Sequence, residues 1–251
     1  MIISFTIEYR TGWNEEIRIS GNIPELGNGN PDKAVRLQTC DGTHWTAQIQ
    51  LPTPRTIEYY YCIYRNNDIV HKEWTGFPRR LQFTAADKDR KYCLIDFWKD
   101  IPEESYFYSS AFTESLLAHR KRADFPKHYP QGLVVKTYAP HITEDYCLAI
   151  CGNCEALGNW NPAKAIPMSD VNFPEWLVEM DATQITFPLE YKFILYNKKE
   201  RKAEMWENGN NRYLSDPQIK QDETFALSGQ YPAFNFPVLK GAGVSIPVFA
   251  L

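Results

Sequence analysis

The sequence predicts an all-β protein, and three observations carry that prediction. Apolar and polar residues alternate over short runs: Phe5, Ile7 and Tyr9 are interleaved with Thr6 and Glu8, the period of a half-buried strand. Aromatic residues make up 14% of the chain, a share that suits pleated surfaces and ligand faces. The chain also contains itself twice. Ile19 to Ala34 reads ISGNIPELGNGNPDKA and Ile150 to Ala165 reads ICGNCEALGNWNPAKA, with ten of the sixteen positions identical.

The echo continues through Trp45 and Trp176. It then shifts by one residue, setting Glu58-Tyr59-Tyr60-Tyr61 against Glu190-Tyr191-Lys192-Phe193 and Trp74 against Trp206. A repeat this long exceeds solenoid units of roughly 20–50 residues. Two copies of one domain account for it. Strands are expected in the first copy at Phe5–Tyr9, Ile17–Ser20, Trp45–Leu51, Ile57–Tyr64 and Tyr92–Asp96. In the second they are expected at Leu133–Tyr138, Tyr146–Cys151, Trp176–Met180, Leu189–Tyr196 and Thr224–Leu227. Each is short, β-branched or aromatic, and bounded by Gly, Pro, Asn or Asp. Copies of about 100 residues with this spacing predict two immunoglobulin-like antiparallel β-sandwiches.

The expected domains are 1–98 and 131–230, joined by a linker over 99–130. Within that linker Ser109 to Lys121 fits either a short helix or an edge strand. Residues 231–251 read as a tail. Its apolar close, Val244 to Leu251, looks like the first strand of a further domain.

Net charge is −4, so the chain has no basic footprint for nucleic acid or an acidic membrane. The opening MIISFTIEYR has neither the basic n-region nor the apolar run of a signal peptide. No apolar stretch approaches the roughly 18–20 residues of a membrane span. A cytoplasmic chain with reduced cysteines is expected. No catalytic motif is present. His44, His71, His119, His128 and His141 are scattered, and there is no nucleophile elbow or phosphate loop. No catalytic residue, metal ligand or cofactor is assigned.

Cys147, Cys151 and Cys154 fall in the spacing C-x3-C-x2-C, which can hold an iron–sulfur cluster. A strand through Tyr146–Cys151 sets Cys147 and Cys151 on one face about 13 Å apart, too far to converge on a cluster. The first copy carries Glu16, Ser20 and Ile23 at the matching positions. The cysteines are therefore read as structural.

The same stretch ends in Leu157-Gly158-Asn159-Trp160-Asn161-Pro162. An indole in such a turn is a candidate platform for a sugar ring, whose C–H face stacks while neighbouring polar groups bond its hydroxyls. Burying about 100 Å² of ring face at about 25 cal/mol/Å² contributes about 2.5 kcal/mol per stack. The Leu-Gly-x-Trp loop, the inner Trp176, the Glu190-Tyr191-Lys192-Phe193 strand and Trp206-Glu207-x-x-x-Asn211-Arg212 occur in that order. Together they resemble the starch-binding domain, carbohydrate-binding module family 20.

That resemblance implies a β-sandwich that binds α-1,4-glucans: starch, glycogen, maltooligosaccharides or cyclodextrin. It makes Trp160 and Trp206 the stacking platforms and Lys192 and Asn211 the hydroxyl partners, with Glu207 beside them. Trp176 falls to the core, and the family's second, tyrosine-based site finds no clear residues near Tyr146, Asn172 or Phe173. The first copy departs from the pattern. Gly29 stands at Trp160, Tyr60 at Lys192 and Arg79 at Asn211, so Trp74 is left as its candidate for a weak site. The tail resembles the entry into the catalytic barrel of glycoside hydrolase family 77, the disproportionating type of 4-α-glucanotransferase. The expected whole is a non-catalytic glucan tether for such a barrel, which would lie C-terminal to this segment. The alternative is a structural or protein-interaction sandwich pair that binds no sugar.

Overall fold

The computed structural model describes residues 1–101, 128–140, 142, 145–229 and 231–234, together with the backbone of 238–241 and 244–247. Ser109 to Lys121, His119 and His141 lie outside these residues. The chain divides into two compact units, Met1–Ser109 with Gln221–Ser228, and Ser110–Lys220 with Gly229–Leu251. The sequence expectation grouped residues 221–228 with the second copy. In the structure Glu223–Ser228 forms a parallel ladder with Lys91–Phe97.

The first unit is built from β1 (Ile2–Glu8), β2 (Glu15–Gly21), β3 (Val35–Arg36), β4 (His44–Gln50), β5 (Arg55–Arg65), β6 (Asp68–Lys72), β7 (Arg79–Phe83) and β8 (Lys91–Phe97), with β17 (Glu223–Ser228). One sheet runs β4-β1-β8-β17, and the other runs β3-β2-β5-β6 with β7 also on β5. Alternation explains the core: Ile3, Phe5 and Ile7 of β1 are fully buried, as are Ile17 and Ile19 of β2. The Phe5 ring meets Tyr59 of β5 edge-on at 5.1 Å, tying the two sheets together. All pairs are antiparallel except β1–β8 and β8–β17, which run parallel.

A buried polar network crosses the same space. Arg79 on β7 donates to Glu73 and Asp96, and the hydroxyls of Tyr59 and Tyr61 donate to Asp96. Each charge has an opposite partner and directed hydrogen bonds, the condition under which burial of ions is tolerated.

The second unit contains β9 (Gln131–Tyr138), β10 (Tyr146–Gly152), β11 (Ile166–Pro167), β12 (Ser169–Asn172), β13 (Glu175–Asp181), β14 (Leu189–Asn197), β15 (Lys202–Trp206) and β16 (Arg212–Leu214), followed by β18 (Val238–Gly241) and β19 (Val244–Pro247). The sheets are β12-β13-β9 and β11-β10-β14-β15, with β16 also on β14; β18 and β19 form a two-stranded hairpin. Leu148, Ile150, Tyr191, Phe193 and Leu195 bury one face of the second sheet, and Leu133 and Val135 a face of the first. Trp176 is fully buried, its indole N–H donating to Ala139 O at 3.0 Å.

All ten expected strands are present. Of the short edge strands β3, β6, β7, β11, β12, β15 and β16, none shows an alternation long enough to read.

Candidate functional site

The repeated motif is a loop scaffold, and each identity in it has a local cause. Gly21 and Gly152 end β2 and β10 against a crossing strand. A Cβ at Gly152 would stand 2.5 Å from Glu190 O, and one at Gly21 would stand 2.6 Å from Glu58 O, so only glycine fits. Asn153 then pins the loop to β14: its N–H donates to Glu190 O, and its Oδ1 accepts from Glu190 N–H. Asn22 makes the same pair with Glu58. Leu26 and Leu157 are buried plugs. Asn30 and Asn161 cap the following 3-10 turns with their side chains, with Pro31 and Pro162 at the first helical position.

Between these fixed points the backbone turns through three consecutive left-handed residues. They are Gly27, Asn28 and Gly29 (φ 84°, 53°, 74°) in one copy, and Gly158, Asn159 and Trp160 (φ 80°, 49°, 62°) in the other. Glycine takes the last position without penalty. A tryptophan there costs roughly 1–2 kcal/mol. A bulky residue held at positive φ is the kind of local strain that points to function.

The strain presents the indole. Trp160 N–H donates to Gly152 O at 2.8 Å, which sets the ring at the loop apex. Its centroid lies 6.3 Å from that of Trp206, with a 43° tilt between the rings. Trp206 ends β15 opposite Ile194. It rests on a small outward-facing apolar layer of Ala149, Cys151 and Ile194, with Ala165, Tyr196 and Ala203 around it. Two half-buried indoles at this tilt offer two non-coplanar apolar faces.

Polar groups flank the platforms. Lys192 lies on β14 opposite Cys151. Two of its ammonium N–H groups donate to Glu207 O at 3.1 Å and Gly209 O at 2.7 Å. These bonds hold the loop after Trp206 and leave a third N–H for a ligand. The exposed Asn211 donates to Glu190 Oε2 at 2.8 Å, leaving its carbonyl oxygen as an acceptor.

Glu207 adjoins this surface but aims inward. Its carboxylate accepts from Phe193 N–H and from both Nε and Nη2 of Arg212. Arg212 in turn lies 4.7 Å over the Phe193 ring. Glu207 therefore anchors the segment that runs from Trp206 to Asn211.

The first unit corrects the alignment read from the sequence. Glu207 N–H donates to Phe193 O while its carboxylate receives Phe193 N–H. Glu73 makes the same reciprocal pair with Tyr61. Cys62 faces Lys72 where Ile194 faces Trp206, and Tyr59 faces Arg79 where Tyr191 faces Arg212. Lys72, not Trp74, is thus the counterpart of Trp206, and Arg79 matches Arg212, not Asn211. The hairpin from Tyr61 to Glu73 is two residues shorter than that from Phe193 to Glu207, which displaces the Trp-to-Trp match by two positions, and the connection from Glu73 to Arg79 is then one residue longer than that from Glu207 to Arg212. Trp74 itself bonds Lys99 O through its backbone N–H, packs its ring against Gly76, and lies 5.9 Å beneath the Lys99 ammonium.

Trp13 was passed over in the sequence. It stands 95% exposed in the turn between β1 and β2. Gly12-Trp13-Asn14 between two strands carries the same signal that singled out Trp160.

Cys147 and Cys151 lie on the outward face of β10, both buried, and Cys154 precedes the 3-10 turn Glu155–Leu157. Among the described residues no group of three His, Cys, Asp or Glu side chains could hold a metal ion.

A β-sandwich that displays tilted indoles beside ammonium and amide groups has the surface of a carbohydrate-binding module. The family described as the starch binding domain matches residues 1–92 and 133–226, and the chain belongs to that family.

Among curated relatives, the chain is similar to a 4-alpha-glucanotransferase, DPE2, of Oryza sativa subsp. japonica. That match is 25% identical over 98% of this chain and 27% of the relative. It is also similar to Glucoamylase-1 of Schizophyllum commune, 31% identical over 39% of this chain and 16% of the relative. The chain thus spans about a quarter of the rice relative's length. A solved family 20 carbohydrate-binding module of a maltotetraose-forming amylase from Pseudomonas saccharophila is 19% identical. It covers 39% of this chain and 99% of its own, with a TM-score of 0.32.

Proposed function

We propose that this chain is a non-catalytic binding segment for α-1,4-glucans and that it carries two starch-binding domains in tandem. It would tether a 4-α-glucanotransferase of glycoside hydrolase family 77 to starch, glycogen or maltooligosaccharides. The observation that carries the binding role is the half-buried Trp160–Trp206 pair, its rings 6.3 Å apart, with Trp160 held at positive φ at the loop apex. The transferase is supported by the match of nearly the whole chain to part of the rice relative. Tethering acts through effective concentration, so modest affinity suffices. The partner in the full-length protein is then its own C-terminal catalytic domain, and a cytoplasmic setting suits six cysteines held as free thiols.

Calorimetric titration of the chain with maltoheptaose or β-cyclodextrin, beside Trp160→Ala and Trp206→Ala, tests the reading. Two stacks less the cost of association place the expected dissociation constant at roughly micromolar to millimolar. Loss of binding in both variants supports it. A parent that binds nothing at millimolar ligand leaves the structural-interaction pair in its place.

A further inference from the structure

We infer that the first unit's counterpart of the indole site is closed to glucan, and that Gly29, Tyr60 and Lys72 are the residues that close it. The inference rests on the reading of Trp160 and Trp206 as glucan platforms. At the apex of the loop, Gly29 repeats the left-handed backbone of Trp160 but has no side chain, and no atom lies within 4 Å of where its Cβ would be. One platform is missing and nothing replaces it. At the second platform's place, the backbone register puts Lys72. Its ammonium sits 4.5 Å from the centroid of Tyr60, the residue that stands where Lys192 does. The Tyr60 ring at this surface is therefore already stacked, by a cation.

The neighbouring ring is taken in the same way. Arg18 lies 4.1 Å over Tyr64 and is held there by Glu16 and Asn67. The Tyr64 hydroxyl is spent on Pro31 O. A cation on an aromatic face is an attraction that a neutral sugar must displace before it can stack. Sequence alone hides this, because the Trp74 identity suggests a surviving platform and the register removes it.

The test exchanges the three positions within the whole chain. Trp160→Gly/Lys192→Tyr/Trp206→Lys gives the second unit the first unit's face, and Gly29→Trp/Tyr60→Lys/Lys72→Trp does the reverse. The open space at Gly29 and the exposure of Lys72 let the latter be accommodated. Maltoheptaose affinity is expected to fall at least tenfold in the first variant and to return to within tenfold of the parent when both sets are combined. Failure of the combined variant to regain affinity would overturn the assignment of these three residues.

Two independent measurements stand beside the exchange. In the parent, Lys72→Ala is expected to leave affinity unchanged, and saturating maltoheptaose to leave Lys72 as reactive to an amine-acylating reagent as before. A tenfold loss, or protection of Lys72, would show glucan on this face and sink the inference. Indole oxidation read in the same samples keeps the two readings apart. Protected Trp160 and Trp206 uphold the glucan platform whatever happens at Lys72, whereas unprotected indoles refute the platform itself.

Discussion

Replacing Trp160 with glycine separates binding from folding more cleanly than any other change to this chain. The substitution places at position 160 the residue that the first unit already uses at the same turn of the same loop. Three terms act on stability. Relief of the left-handed backbone at φ 62° favours the variant by roughly 1–2 kcal/mol. Loss of the ring contact with Trp206 costs about 0.5–1.5 kcal/mol. The greater freedom of glycine in the unfolded chain costs about 0.5–1 kcal/mol. They nearly cancel, so urea unfolding is expected to shift by no more than about 1 kcal/mol.

Binding has no such compensation. Losing about 100 Å² of stacked ring face at about 25 cal/mol/Å² removes about 2.5 kcal/mol, which is about 70-fold in affinity. Calorimetry with maltoheptaose and a urea titration on one preparation check both numbers. A stability loss above about 3 kcal/mol, the size of a buried aromatic truncation, would refute the reasoning, because the indole would then be a packing group. Unchanged affinity would refute it from the other side.

Other consequences can be checked on the same protein. Arg79→Met removes the only cation bonded to both Glu73 and Asp96 in the described network, leaving two buried carboxylates uncompensated. A loss of about 3–5 kcal/mol in urea unfolding is expected, with no comparable loss for Arg36→Met at an exposed pair. Gly152→Ala pushes a methyl into Glu190 O, so about 1–3 kcal/mol of stability should go, and the Trp160 loop should become more accessible to protease. The hydrogen bond from His44 to Asp41 raises the His44 pKa and lowers that of Asp41. The contact is therefore fully present between the ordinary aspartate and histidine ranges, is lost as pH rises through the raised histidine value, and is lost again in strong acid as Asp41 takes up a proton. The His44 ring resonances should therefore titrate above the ordinary histidine range, and Asp41→Asn should bring them back.

Much of the scaffold could be read from the chain. Short runs of β-branched and aromatic residues bounded by Gly, Pro, Asn or Asp marked all ten of the longer strands, the alternating β1 as well as β9, β10 and β13, which are buried on both faces. The inner Trp176 was correctly placed in the core. The motif shared by the two copies also marked the loop, since glycine at a close approach, asparagine at a cap and proline at a helix start are local requirements that any sequence making this turn must meet. The edge strands escaped, being two to five residues long, too short for a period. Trp13 escaped for want of a second motif beside it, although its turn residues were visible.

What the sequence determined by itself was an all-β chain, its repeated loop, and the choice of Trp160 and the Trp206 segment as the candidate glucan-binding residues. These depend on local chemistry and on order along the chain. What only the tertiary structure decided was which residues stand opposite one another: that Lys72 rather than Trp74 answers to Trp206, that Glu207 turns inward to Arg212, and that Lys192 spends two bonds holding the loop. The reason is physical. Register across strands is set by ladder bonds and buried faces, and two residues more or fewer in a hairpin move it without leaving a mark in the letters on either side.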